Sequence, residues 1–169
     1  MKVRYIFLAI ALFVFIAGCA HKKSTLETMQ KPYSSVYTNA LKNASGAAEK
    51  VLKKAQDMVR KKVIVRGSCW DYINAVYHNA GFGYKKRHMV YKSKKRGPYA
   101  DLSLLRAGDW LYHVNYSYGR VGHSGIFIRW IDKKNKLALM LSYAGERRKM
   151  PARYKVYDLS SVYTIIRAE

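Results

Sequence analysis

The feature that most limits the folds open to this chain is a change of hydrophobic period near its middle. Up to about residue 82 the apolar residues recur at helical spacing, and beyond the turn at Ala107-Gly108 they collect in short β-type runs. Over residues 47–63, Ala48, Val51, Leu52, Ala55, Met58 and Val59 form one stripe with lysines opposite. That is the pattern of a helix covering a core, with a membrane-surface helix as the alternative. Gly67 and Ser68 break it. The stretch GSCWDYINAVYHNAGF, residues 67–82, then predicts a second helix, with Ser68 as N-cap, Ile73, Val76, Tyr77 and Ala80 as its buried stripe and Gly81 as C-cap. The β-type runs are DWLYHV, HSGIFIRWI, LALMLSY after the turn DKKNK, and VYTIIR. Helices followed by consecutive strands predict an α+β domain in which N-terminal helices pack on an antiparallel β-sheet.

With 169 residues the chain suffices for one domain with a core of its own. Its first stretch, MKVRYIFLAIALFVFIAGCA, places Lys2 and Arg4 before an apolar run from Tyr5 to Gly18 and reads as an export signal. The rival, a transmembrane anchor, has too short a run, because a spanning helix needs about 20 apolar residues. The segment IAGC resembles a bacterial lipobox. That resemblance implies cleavage before Cys19, lipidation of Cys19 and, from Ala20 in a Gram-negative host, the outer membrane facing the periplasm. The expected organisation is therefore a lipoprotein signal peptide over 1–18, the lipidated cysteine and a tether over 19–45, and the folded domain over 46–169.

A net charge of +22, or +20 once the signal carrying Lys2 and Arg4 is removed, calls for an anionic partner. Export argues against nucleic acid and leaves cell-wall polymer, other anionic envelope polymers and lipid headgroups. The segment 83–100, GYKKRHMVYKSKKRGPYA, reads as a basic loop, either solvated surface or a device for steering substrate.

Once Cys19 carries lipid, Cys69 is the only free thiol in an oxidising compartment. A lone cysteine is commonly a small buried hydrophobe, so its surroundings decide. A thiol of ordinary pKa is only about 3% ionised at pH 7. The first turn of a helix favours its charged form, and Cys69 is expected there. An imidazole must also be in reach. Of the five histidines, His21 falls in the tether and His88 in the basic loop. His78, nine residues along the same helix, faces away from Cys69 and lies roughly 13 Å along the axis. His113 and His123 remain. His123, in VGHSGIFI with glycines on either side, is the favoured general base, while His113 could be an ordinary strand residue. Asp71 complements the helix start, and Trp70, Trp110 and Trp130 either line a groove or pack in the core. No ligand spacing suggests a metal, and no cofactor is expected.

Taken in order, GSCWDYINAVYHNAGF, LLRAGDWLYH, VGHSGIFI and LALMLSYAG resemble the segments of NlpC/P60 cysteine peptidases, papain-like cell-wall hydrolases related to the CHAP amidases. The resemblance covers roughly residues 65–145. It implies Cys69 as nucleophile, His123 as general base and cleavage of an amide in the peptide stem of peptidoglycan, through an acyl-enzyme that water releases. Where the family usually reads Asp-Cys-Ser-Gly, this chain reads Ser68-Cys69-Trp70-Asp71. The strand after His123 offers Ser142 at the place where the family puts a His, Asn or Gln to orient the imidazole. Two other readings stand beside this one: a catalytically silent peptidoglycan-binding lipoprotein, and a Cys-His amidase or acyltransferase acting on another envelope substrate.

Overall fold

The computed structural model describes residues 33–169. The export signal, Cys19 and the beginning of the tether lie outside the described residues. Three helices precede and cover a six-stranded sheet. They are α1 (33–42), α2 (Gly46–Arg60) and α3 (Cys69–Asn79). The strands are β1 (Arg87–Lys92), β2 (Trp110–Asn115), β3 (Val121–Asp132), β4 (Leu137–Ser142), β5 (Arg153–Asp158) and β6 (Val162–Ala168). Their order is β1-β6-β2-β3-β4-β5, with every neighbouring pair antiparallel. No helix among the described residues is long and apolar enough to cross a membrane.

Alternation along the central strands sorts their side chains into two cores. Trp110, Ile126, Ile128, Leu139 and Leu141 pack against Val51, Leu52, Ala55 and Met58 of α2 and Ile73, Val76 and Tyr77 of α3. The intervening residues Leu111, Phe127, Met140 and Ile165 point to the other face, where Ala100 and Leu105 of the segment before β2 cover them. The expected stripes of α2 and α3 are thus the buried ones, with Ala48 and Ala80 at their margins. Helix α3 closes as expected near Gly81, which sits one residue past the C-cap with φ +93°. Its N–H and that of Phe82 donate to the carbonyls of His78 and Tyr77.

Two segments differ from the sequence reading. Within the expected tether, residues 33–42 are helical; Tyr37 and Ala40 are buried, and Tyr37 packs on Tyr154 of β5 and donates its hydroxyl to the Leu52 carbonyl of α2. Within the expected basic loop, Arg87–Lys92 forms a strand paired with β6. β5 was likewise not anticipated. Both of these strands are edges of the sheet, where lysine and arginine replace the apolar alternation of a central strand and discourage pairing with other chains.

The turn at Ala107-Gly108 leads into a buried ion pair that pins the start of β2 to β6. Asp109 is 1% exposed and receives both Nε and Nη2 of Arg167 at 2.8 Å, as well as the Arg106 N–H. Burial pushes the Asp109 carboxyl up, and Arg167 works against that push. Replacing one member of a buried pair strands the other. Asp109→Ala is therefore expected to cost about 3–5 kcal/mol of unfolding free energy, read from the urea midpoint.

Candidate active site

The site begins at the N-terminus of α3. Ser68 is its N-cap: Oγ accepts the Trp70 N–H at 3.2 Å, and Asp71 reaches back to accept the Ser68 N–H at 2.7 Å and its hydroxyl at 2.8 Å. These bonds, the backbone one first, hold the Asp71 carboxyl below the usual carboxylate range. Gly67 must be glycine, because φ is +108° and a Cβ there would collide with the Asp71 carboxylate. Asp71 is thereby occupied with the cap, as the sequence suggested. Cys69 is half-buried with a free thiol, and its own N–H makes no hydrogen bond among the described residues.

The exit of β4 brings the rest of the site to this helix start. Tyr143 follows Ser142 directly, is fully buried, stacks on Tyr72 at 4.5 Å and donates its hydroxyl to the Val65 carbonyl at 2.8 Å. The Glu146 N–H donates to the Gly67 carbonyl at 2.9 Å. A cleft of about 520 Å³ opens there, lined by Cys69, His123, Ser142 and Tyr157 together with Asn115, Tyr118, Arg148, Arg153 and Lys155. The three residues read from the sequence therefore meet in one solvent-open cleft.

His123 Nε2 lies 2.9 Å from Ser142 Oγ, which lies 2.8 Å from the Tyr157 hydroxyl. The relay can run in two directions. When Nε2–H donates to Ser142 Oγ, whichever way the Ser142–Tyr157 bond runs, Nδ1 is left free to accept a proton. Burial, and after it the Lys155 ammonium, lower the His123 pKa to about 4, so the ring is neutral at neutral pH. No hydrogen bond joins the Cys69 thiol to His123 among the described residues. Burial raises the hydroxyls of Tyr112, Tyr157 and Tyr163, and a negative charge at Cys69 would raise each further. Cys69 and Tyr157, the residue that ends the relay, line the same cleft.

The remaining histidines take other places. His113 is directly opposite His123 in the β2–β3 ladder, fully buried, its ring edge-on to His123 at 5.6 Å and to Tyr157 at 5.1 Å. Among the described residues neither of its nitrogens meets a partner at hydrogen-bond geometry. His78 and His88 are exposed. Trp110 is a core residue, stacked on Tyr112 and met by the tilted rings of Trp70 and Tyr77, and no tryptophan lines the cleft. Among the described residues no group of three or more His, Cys, Asp or Glu side chains is placed to hold a metal ion. Tyr157, Lys155 and Arg153 were missed in the sequence. Their i, i+2, i+4 spacing in RYKVYD was the available signal, since it puts all three on one face of a strand.

No protein-family model, curated protein or solved structure matches this chain.

The two facing histidines make stability depend on pH. Burial first, then His123, lowers His113 to about 3, and His123 stands at about 4. Both lie below the value of about 6.5 in the unfolded chain, so between these limits the unfolded state binds more protons. The stabilisation is complete above about pH 6.5 and is lost as pH falls towards 4 and then 3. Unfolding near pH 5 should take up close to two protons, about 2.7 kcal/mol per pH unit, opposed in part by Asp109. His113→Leu should remove about half of that histidine slope in urea titrations repeated from pH 4.5 to 7.

Proposed function

We propose that this chain is a thiol-dependent amide hydrolase of the NlpC/P60, papain-like type, acting on the peptide stems of peptidoglycan from a lipid anchor at Cys19. The observation that carries the reading is the convergence of a cysteine at a helix start with a serine-bound histidine in one open cleft. Three features support the chemistry. The neutral imidazole is a base rather than an acid in the resting enzyme. Ser142 and Tyr157 can fix the tautomer that leaves Nδ1 available. The unengaged Cys69 N–H is a donor for an oxyanion.

In this mechanism Nδ1 of His123 takes the thiol proton as sulfur attacks the scissile carbonyl carbon. The tetrahedral oxyanion collapses with cleavage of the C–N bond, and the amine leaves with the proton from the imidazolium. Water, deprotonated by the same imidazole, then hydrolyses the thioester and restores the thiol. A neutral hydroxyl orients the ring but places no countercharge beside the imidazolium, so the base works without the electrostatic support a carboxylate gives. The thiol–imidazole contact must close when substrate binds, a tightening common in such sites.

A second reading, a wall-binding protein without turnover, draws on that missing thiol–imidazole bond. Digestion of purified sacculi separates the two. The hydrolase reading expects stem-peptide fragments from wild type and none from Cys69→Ala, with both proteins binding sacculi equally. Ser142→Ala should lower kcat about fivefold, the equivalent of one neutral hydrogen bond of about 1 kcal/mol. Activity should fall in a single acid limb near pH 4, where His123 protonates. Equal binding with no fragments from either protein would make the chain a binder.

A further inference from the structure

A second cavity, of about 530 Å³, lies across the β2–β3 turn from the cleft. The residues of that turn divide between the two: Asn115, Ser117, Tyr118 and Val121 line the cleft, whereas Tyr116 and Arg120, with Val114 before them, line the second cavity. Its other wall is the segment after β1. There Lys95 and Arg96 are the central residues of a tight turn that the Gly97 N–H closes on the Lys94 carbonyl at 2.8 Å. Tyr99 completes the lining and donates its hydroxyl to the Lys95 carbonyl at 3.3 Å. The two walls meet at their tyrosines, whose rings remain open to solvent. Burial first, then the Tyr116 hydroxyl, raises the Tyr99 hydroxyl, and the nearby Arg120 charge works against that rise. The Arg120 guanidinium itself lies 5.6 Å from the centre of the Tyr116 ring. No acid lines the cavity, and among the described residues Lys95, Arg96 and Arg120 make no ion pair.

Like charges gathered around a concave site repel one another and gain most when a multiply charged anion sits among them. We infer that this cavity binds the phosphate group of a polyol or sugar phosphate ester, held by Lys95, Arg96 and Arg120 and laid against Tyr99 and Tyr116. The cations come from two separate segments, so they can surround a tetrahedral group with several charged oxygens, whereas one guanidinium fork already satisfies a planar carboxylate. The tyrosines account for a cavity larger than a bare phosphate fills. Each offers an apolar ring face and a hydroxyl, the two kinds of surface that a polyol presents in return. In a chain of net charge +22, cations alone do not mark a site. What sets this one apart is the lack of any acid: Lys53 and Lys61 of the α2 region pair with Glu49 and Asp57, and Lys133 and Lys134 follow Asp132 directly. The same ester chemistry is carried by soluble polyol phosphates and by glycerophospholipid headgroups. The site makes no use of Cys69, and it stands whether or not the cleft beside it is hydrolytic.

Chemical protection read residue by residue tests this on the full chain in neutral detergent. Phenylglyoxal modifies arginines, a water-soluble acetylating ester modifies lysines, and mass spectrometry of the peptides gives the rate at each position. Glycerol 3-phosphate, at ten times the midpoint of its protection curve, should slow modification of Lys95, Arg96 and Arg120 about tenfold. Arg129, Lys133 and Lys134, exposed at other places on the surface, should keep their rates. Succinate at the same concentration, a dianion of similar size without a phosphate, should leave all these positions as they were. Arg96→Gln/Arg120→Gln should abolish the protection of Lys95 by the ester, whereas Lys133→Gln/Lys134→Gln removes the same charge elsewhere and should retain it. Both pairs are exposed, and an unchanged urea midpoint shows that the fold is intact. Phosphatidylglycerol mixed into the detergent micelles supplies the ester as a headgroup. Protection by it alone assigns the site to a lipid, and protection by glycerol 3-phosphate alone assigns it to a soluble ester. Equal slowing at the control positions, equal protection by succinate, or no protection by either ester overturns the proposal.

Discussion

Everything at the site depends on one seam, the contact between the chain entering α3 and the chain leaving β4. The Tyr143 hydroxyl on the Val65 carbonyl, the Glu146 N–H on the Gly67 carbonyl and the stacking of Tyr143 on Tyr72 tie two segments that are 78 residues apart at the first of these bonds. Ser142 is the residue before Tyr143, and Cys69 the second after Gly67. Fixing the seam therefore fixes the thiol relative to the imidazole's partner. All three interactions are made by buried or main-chain groups, which loop motion moves least.

The seam also explains how a thiol on a helix can share a cleft with residues on the opposite face of the sheet. The ladders put His123, Ser142, Arg153, Lys155 and Tyr157 on the face that the helices do not cover. The first turn of α3 is brought to the end of the sheet, where the two faces meet. Such a place keeps a rigid strand behind His123 and leaves solvent access in front. His113 packs behind it, a second imidazole that burial holds in the neutral form.

The sequence made the middle of the fold legible and its margins illegible, for a physical reason. β2, β3, β4 and β6 are central strands, buried on both faces, and they read as apolar runs. β1 and β5 each have one neighbour and carry lysine and arginine at positions where a central strand would carry valine, so hydropathy hid them. Helix α1 is a different case. Tyr33, Val36, Tyr37, Ala40 and Leu41 do keep helical spacing and do pack on the core, but the serines and asparagine between them gave the segment the composition of a linker. Cys69 and His123 could be picked out because each stands at a punctuated position, after a glycine-serine break or between glycines, whereas Ser142 was reached only through the family resemblance. Tyr157, Arg153 and Lys155 stand on an edge strand and had no such marker.

β5 carries two duties that compete. As a border of the sheet it would gain stability from branched apolar residues in place of Arg153 and Lys155, which is the direction in which most stabilising drift would push it. That same change would expose a sticky border to neighbouring chains and strip the positive wall from beside the thiol. Stabilising substitutions on this strand would therefore change the lining of the cleft as well as the border of the sheet.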